Sequence, residues 1–156
     1  MSPEWPHAHA QVGMARILDD YSRSHGGDVG TELRFVAITT SGEQVTLLPD
    51  ISYYSHEQMR AATPEERRYP RHAPYVAVEI RSSDDRPGER ERKIELLLAL
   101  GSRLVLDVSP EMETFAAIDM NGRRTFHKHE VFVHDALPEL HVDLTPFFER
   151  VNRRYD

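Results

Sequence analysis

The sequence predicts an α/β fold in which helices flank a central mixed β-sheet. Three observations predict it: two segments with helical apolar spacing, several short apolar segments typical of strands, and a strand–helix–strand order. Such a connection between parallel strands is almost always right-handed, so strands 75–82 and 103–108 are expected side by side or nearly so. The residues expected in the sheet core are Val45, Leu47, Ile51, Val76, Val78, Ile80, Leu104 and Leu106.

The first half of the chain predicts one helix and one hairpin. Residues 8–24 form a helical pattern, which the glycines at 26–27 end. Its apolar arc consists of Met14, Ile17, Leu18 and Tyr21. Segments 31–39 and 44–55 flank the turn TSGE, which favours an antiparallel strand pair. Residues 56–74 are polar and contain three prolines, which indicates a loop or a short helical excursion.

The second half predicts the crossover and a meander. In strand 75–82, Val76, Val78 and Ile80 share one face, and Ala77, Glu79 and Arg81 share the other. Helix 89–100 ends at Gly101, and strand 103–108 follows it. The segments expected to form a meander at the sheet edge are ETFAAI, RRTFH and EVFVH, with a turn at Asn121-Gly122. The last helix, LTPFFERV, has Thr145 as its expected N-cap and Pro146 as its first residue.

Composition limits the classes of function. The 156 residues suit one domain, 1–156, with 39% hydrophobic and 29% charged residues. The absence of cysteine excludes disulfides and thiolate sites and fits a cytoplasmic protein. No apolar segment approaches the roughly 18 residues of a membrane span, and no secretion signal is recognisable. The net charge of −7 disfavours a nonspecific coat on nucleic acid but leaves a local basic groove open.

Three ionisable residues stand where an apolar core would hold none. Asp50 interrupts the apolar segment TLLPDISYYS, and Glu79 is the acid of YVAVEI. Lys93 falls inside the leucine stripe of helix 89–100. A lysine in this position can extend its amine to the rim of the sheet with no further role. Alternatively, carboxylates occupy that rim and pair with it.

These residue types suit phosphodiester hydrolysis. Carboxylates on neighbouring strands bind hard cations such as Mg²⁺ or Mn²⁺ through oxygen, with water in the remaining positions. Lys93 would then hold or deprotonate the attacking water, or contact the scissile phosphate. The residues alone leave a second interpretation open, in which Asp50, Glu79 and Lys93 form buried ion pairs for structure.

The order of these residues resembles the Uma-two family of restriction-endonuclease-like proteins, in the PD-(D/E)XK nuclease superfamily. The resemblance covers nearly the whole chain. The segments that carry it are HAQV from His9, LLPDISYYS, VAVEIRSSDDRPGERERK, GSRLVLDVSP and LPELHVDLTPFFE. It implies a restriction-endonuclease-like mixed sheet and a DNA substrate. It also implies Asp50 and Glu79 as ligands of Mg²⁺ or Mn²⁺ and Lys93 as the catalytic lysine. Arg81 and Ser82 are the expected phosphate contacts.

The chain departs from the family pattern at several points. Arg81 stands where the superfamily has a lysine, and its guanidinium stays protonated and so cannot be a general base. Leu97 replaces a usual tyrosine, and LVLD lacks a usual aromatic. The chain also begins close to helix one, without the glutamate-bearing segment expected before it. An inactive relative that binds nucleic acid or protein is therefore the alternative, and a homodimer is left open.

Other candidate sites have weaker support. His7 with His9, and His127 with His129, form two His-x-His pairs that would face one way on a strand. His9 also opens helix one in the family pattern. Asp107 is either a third acid near the metal or a hydrogen-bond acceptor at the strand end. At most one of Tyr53 and Tyr54 can face the site. There is no nucleophile elbow or phosphate loop.

Overall fold

The computed structural model describes residues 4–155 and has a six-stranded mixed sheet at its centre, ordered β1-β4-β5-β6-β7-β8. The strands are β1 (Asp28–Thr31), β2 (Phe35–Ile38), β3 (Gln44–Leu47), β4 (Ile51–Tyr54), β5 (Val76–Ile80), β6 (Leu104–Ser109), β7 (Thr114–Asp119), β8 (Gly122–His127), β9 (Val131–Phe132) and β10 (Val142–Asp143). The helices are α1 (Trp5–His25), α2 (His56–Ala61), α3 (Pro64–Arg68), α4 (Pro87–Ala99) and α5 (Leu144–Val151). The predicted mixed α/β architecture is confirmed.

The crossover sets the positions of the ionisable residues. Strands β5 and β6 pair in parallel, joined by α4, while every other pairing in the central sheet is antiparallel. The parallel register places Glu79 beside Asp107. The antiparallel pair Ile51–Val78 brings the residue before β4 next to the end of β5. Consequently, Asp50 and Glu79 lie side by side, where β4 begins and β5 ends.

The sheet has an apolar layer on each face. Helices α1 and α5 cover the face that carries Val76, Val78 and Ile80, and this core contains Phe115 and Phe148. The opposite face packs against α4 and the hairpin β2–β3. Its buried residues are Phe35, Ala37, Ala73, Ala77, Ile94, Leu97, Val105 and Ile118. Glu79 lies on this second face because side chains alternate along a strand.

The predicted continuous strand 44–55 is wrong. It breaks after Leu47, and β2 and β3 form their own two-stranded sheet while β4 joins the central one. Pro49 explains the break, because proline has no N–H to donate to a strand ladder. Val45 and Leu47, expected in the central sheet, instead pack half-buried against the α4 layer. Asp50 therefore lies in a bend and not within a strand.

The end of the meander and the start of the last helix also differ from the prediction. Strand β9, within EVFVH, pairs with β10 and does not extend the meander. The N-cap of α5 is Asp143 and not Thr145, because Oδ1 of Asp143 accepts the N–H of Thr145 at 3.1 Å. Pro146 is accordingly the third helical residue. Residues 56–74 contain α2 and α3, which fits the short helical excursion.

Helix α1 agrees with the apolar arc in the sequence and starts three residues earlier, at Trp5. Its buried side chains are those of Ala10, Met14, Leu18 and Tyr21. Within residues 4–155, no helix is both long and apolar enough to span a membrane.

Candidate active site

A cavity of about 270 Å³ opens where the end of β5 meets the start of α1 and of α4. It brings together residues from four separate parts of the chain. Its lining consists of His7, Asp50, Glu79, Ile80, Asp84, Asp85, Arg86, Glu89, Arg90 and Lys93. Asp50, Glu79 and Lys93, the three residues singled out in the sequence, thus share one cavity.

Asp50 is fixed by contacts with two elements. Its Oδ2 accepts the backbone N–H of Ile80 at 2.7 Å, which ties the bend to the end of β5. Its backbone carbonyl accepts a hydrogen bond of 3.2 Å from Nε2 of Gln11 on α1. Nε2 of His7 lies 3.6 Å from the same Oδ2. The other carboxylate oxygen, Oδ1, has no hydrogen-bond donor among residues 4–155 and remains available to a ligand.

Glu79 and Lys93 form a buried ion pair. The Glu79 residue is 6% exposed. Nζ of Lys93 donates a 3.1 Å hydrogen bond to Oε2 and another of 2.9 Å to the carbonyl of Leu48. Nζ also lies 2.9 Å from Oε1, but at an angle unsuited to a hydrogen bond, so Oε1 has no donor within residues 4–155. A carboxylate therefore occupies the rim of the sheet beside Lys93, as the second of the two interpretations expected.

Burial raises the pKa of Glu79 to about 7, because the ionised carboxylate loses water when it is enclosed. The ammonium of Lys93 offsets part of this effect, while the charges of Asp50 and Asp85 add to it. The carboxyl group of Glu79 is therefore poised between its neutral and ionised forms near neutral pH. A cation placed between the two carboxylates would favour the ionised form.

The donors present fit a hard divalent cation. The cavity is lined by five carboxylates and three fixed positive charges, so its unneutralised charge is negative. Asp50 Oδ1 has no hydrogen bond among residues 4–155, and Glu79 Oε1 has only the ion-pair contact of 2.9 Å with Nζ of Lys93. Oxygen is the ligand atom that Mg²⁺ and Mn²⁺ prefer. His7, Asp50 and Glu79 do not converge within 4.8 Å in the described chain. Two carboxylates with water ligands are therefore the coordination that suits this cavity.

The two expected phosphate contacts have partners of their own. The guanidinium of Arg81 donates to both oxygens of Asp107, at 3.0 and 2.7 Å. Ser82 donates its N–H and its hydroxyl to the carboxylate of Asp85, at 3.0 and 3.1 Å. Neither side chain lines the cavity. Asp107 is fully buried and acts as an acceptor near the strand end, the second of the two roles considered for it.

The histidine at the site is His7, not His9. Both lie on α1, where residues two apart point in different directions, so the His7-x-His9 pair cannot face one ion as it would on a strand. Nδ1 of His9 lies 3.1 Å from the carbonyl of Val151 on α5. The neighbouring carboxylate of Asp50 raises the pKa of His7, because it stabilises the protonated imidazole. His127 ends the edge strand β8, and both His127 and His129 are exposed.

From the sequence, His7 was considered only as half of a His-x-His pair, and Asp85 and Arg90 were not singled out. The spacing of His7 and Gln11 could have revealed His7, because residues four apart share a helix face and both of these contact Asp50. Asp85 and Arg90 lie in a charged segment whose solvated and buried members look alike in sequence. The hydroxyls of Tyr53 and Tyr54 donate to the carbonyls of Gly26 and His72, respectively, and neither lines the cavity.

A second cluster lies at the other end of the sheet. Nε2 of His134 is 2.8 Å from Asp119, and Nδ1 accepts the N–H of Ala136 at 2.9 Å and lies 3.3 Å from Asp135. Because Nδ1 accepts, the ring proton is on Nε2, and a metal there would displace it. Arg103 already neutralises Asp135 at 3.1 Å. We therefore assign this cluster to structure.

The comparisons with known proteins identify the family and the fold of this chain. The model of Uma2, described as "putative restriction endonuclease", matches residues 1–145. A solved structure described as "a putative nuclease belonging to DUF820", from Anabaena variabilis ATCC 29413, superposes with a TM-score of 0.79 at 19% identity. It covers 97% of this chain and 84% of its own length. At this identity the likeness shows the fold alone, and it confirms the expected nuclease-like sheet.

A DrdV–DNA complex also matches, with a TM-score of 0.46 and 12% identity over 91% of this chain and 11% of the larger one. That likeness is too low to support an argument. No curated protein matches the chain. Because the family model spans nearly the whole sequence, the chain belongs to the Uma2 family.

Proposed function

We propose that this protein is an endonuclease that hydrolyses DNA phosphodiester bonds with the help of Mg²⁺ or Mn²⁺. The observation that carries the proposal is the shared cavity of Asp50, Glu79 and Lys93, three residues distant in sequence whose types suit this chemistry. Membership of Uma2 supports the class of reaction, since that family is described as "putative restriction endonuclease".

Asp50 and Glu79 are the residues that would hold the ion, through Oδ1 and Oε1. When bound, the ion supplies positive charge that stabilises the phosphate in the transition state and makes a nearby water more acidic. Lys93 already lies 2.9 Å from Glu79 Oε1. Its ammonium would donate a hydrogen bond that orients the attacking water between Glu79 and the phosphate. The bond between Asp50 and the Ile80 N–H keeps the two carboxylates at a fixed separation.

One observation favours the alternative, an inactive relative that binds nucleic acid or protein. Arg81 stands at the position of the superfamily lysine, and its guanidinium is held by Asp107, 2.7 Å away. Lys93 then has to supply the function of that lysine from helix α4. The homodimer considered from the sequence has no support within residues 4–155 and stays a prediction.

Plasmid cleavage tests the proposal. We expect the wild-type protein to nick supercoiled DNA in Mn²⁺ and to lose this activity in EDTA. Asp50→Asn and Lys93→Met should each reduce the rate by at least about a hundredfold, because general acid–base and positioning groups contribute about 10²–10⁴ each. Glu95→Gln, on an exposed position of α4, is the matched control and should cut at the wild-type rate. Equal nicking by all variants would mean contamination and would refute the assignment.

A further inference from the structure

A buried carboxylate organises three arginines next to the cavity. The side chain of Asp107 is 0% exposed and lies beside Glu79 in the sheet register. Its oxygens are 2.7 Å from Arg81, 3.5 Å from Arg123 and 3.9 Å from Arg90. The carboxylate of Asp107 thus lies within 4 Å of three guanidinium groups.

Two of these arginines are engaged away from the cavity. Arg81 donates to both oxygens of Asp107. Arg123 donates to both oxygens of Glu91, at 3.1 Å each. Neither lines the cavity. Of these three arginines, Arg90 is the one that lines the cavity.

Arg90 has hydrogen-bond donors that lack partners within residues 4–155. Its side chain is only 13% exposed, and its Nε is buried with no hydrogen-bond partner within residues 4–155. One terminal nitrogen donates to Asp85 at 3.3 Å, at the limit of a hydrogen bond. Leaving a buried guanidinium donor unpaired lowers the stability of the fold. Such a donor therefore needs an explanation, and a ligand that supplies its partner is one.

The position of Arg90 suits a phosphate near the proposed reaction centre. It precedes Lys93 by three residues on α4, so the two side chains are neighbours on one helix face. Lys93 contacts Glu79. Arg90 therefore lies about one helical turn from the residue that pairs with Glu79. A planar guanidinium with several donors matches the oxygens of a phosphate better than an ammonium does.

We propose that Arg90 binds a backbone phosphate of DNA in the cavity, and that Asp85 occupies this position until DNA arrives. The inference rests on the nuclease function proposed above. The carboxylate of Asp85 is an anion on an accessible loop, held by Ser82 as well as by Arg90. A phosphate oxygen then replaces the carboxylate of Asp85 as the acceptor for the guanidinium of Arg90. Asp107 is the positioning residue that keeps Arg90 in place.

DNA binding by four variants tests this inference. The full chain is titrated into a labelled duplex oligonucleotide in Ca²⁺, and the dissociation constant is measured by fluorescence anisotropy at several salt concentrations. Arg90→Gln should weaken binding about tenfold or more, the effect of losing one charge-assisted hydrogen bond. It should also reduce the salt slope by about 1, because one phosphate contact is lost. Arg90→Lys should keep the slope but bind less tightly than wild type.

Asp85→Asn should act in the opposite direction and tighten binding about two- to fivefold, the range implied by removing one competing exposed ion pair. A folding defect cannot produce this gain. Arg92→Gln is the matched control, because it removes the same charge from an exposed position two residues along α4, and it should lower affinity less than Arg90→Gln.

Equal effects of Arg90→Gln and Arg92→Gln, or weaker binding by Asp85→Asn, would overturn the role of Arg90 and leave the nuclease proposal intact. If the wild-type protein binds no DNA, both proposals fail together.

Discussion

At the scale of single residues, the site depends on how two carboxylates are held. Asp50 is fixed by one backbone N–H and Glu79 by one ammonium, and each leaves an oxygen without a donor in the described chain. The types of these residues could be predicted from the sequence, because a charge in an apolar pattern is conspicuous. Their hydrogen bonds could not be, since they involve the backbone of Ile80 and Leu48, which carries no sequence signal.

Asp50→Asn should separate folding from metal binding. The amide oxygen of asparagine can still accept the Ile80 N–H, so we expect the free energy of unfolding to fall by less than about 1 kcal/mol. Asp50→Ala leaves that N–H without a partner and should cost about 1–3 kcal/mol. Both variants should lose Mn²⁺ affinity in isothermal titration calorimetry. Equal unfolding midpoints of Asn and Ala variants in urea would show that the hydrogen bond contributes nothing.

The raised pKa of Glu79 should make stability depend on pH. Below its ordinary pKa of 4.5 the carboxyl group is protonated in both the folded and the unfolded chain, so there is no penalty. Between 4.5 and about 7 the unfolded chain ionises first, so the folded state binds more protons and its stability falls as pH rises. Above about 7 the full penalty applies, on the order of 3 kcal/mol at most.

Glu79→Gln removes this titration. Its stability relative to wild type, measured by urea unfolding in EDTA, should increase by up to about 3 kcal/mol between pH 4.5 and pH 7. Glu95→Gln, which alters an exposed carboxylate on α4, should show no comparable change. A flat difference for Glu79→Gln would mean that burial does not perturb this group.

At the scale of elements, the strands of the parallel pair were the most predictable. Continuous apolar segments separated by an amphipathic helix indicate a crossover, and β5, α4 and β6 form one. The segment 44–55 was harder, because apolar alternation continues across Pro49 although the ladder cannot. Strand β1 carries Asp28 and Gly30, residues uncommon in strands, and it forms only through pairing with β4.

The cap of α5 gives a test at this scale. Asp143 accepts the Thr145 N–H, so Asp143→Ala should lower the free energy of unfolding by about 1 kcal/mol, within the usual range for a lost N-cap. Glu149→Ala, at an exposed position in the same helix, should change it by less than about 0.5 kcal/mol. Thermal unfolding followed by circular dichroism measures both. Equal effects would argue against Asp143 as the functional cap.

At the scale of the whole molecule, the site forms where the helix layers on the two faces of the sheet come together at the end of strand β5. Helix α1 supplies His7 from one face, and α4 supplies Lys93 and Arg90 from the other. The sequence singled out Asp50, Glu79 and Lys93 because each is an ionisable residue in an apolar pattern, and the resemblance to the Uma-two family implied that they share one site. It did not predict His7, because its contact with Asp50 depends on how α1 crosses the sheet, which is set by packing between distant residues.

The charge of the whole molecule also bears on function. A chain of net charge −7 repels DNA at long range, so binding has to depend on local cations and on a divalent ion in the cavity. Five carboxylates line that cavity. The central claim is therefore that Asp50 and Glu79 together hold one divalent cation.

Anomalous diffraction from crystals soaked in Mn²⁺ tests that claim most directly. We expect one strong anomalous peak between the carboxylates of Asp50 and Glu79, and we expect it to be lost in Glu79→Gln crystals. A peak at Asp119 and Asp135 instead, or no peak beside Asp50 and Glu79, would contradict it.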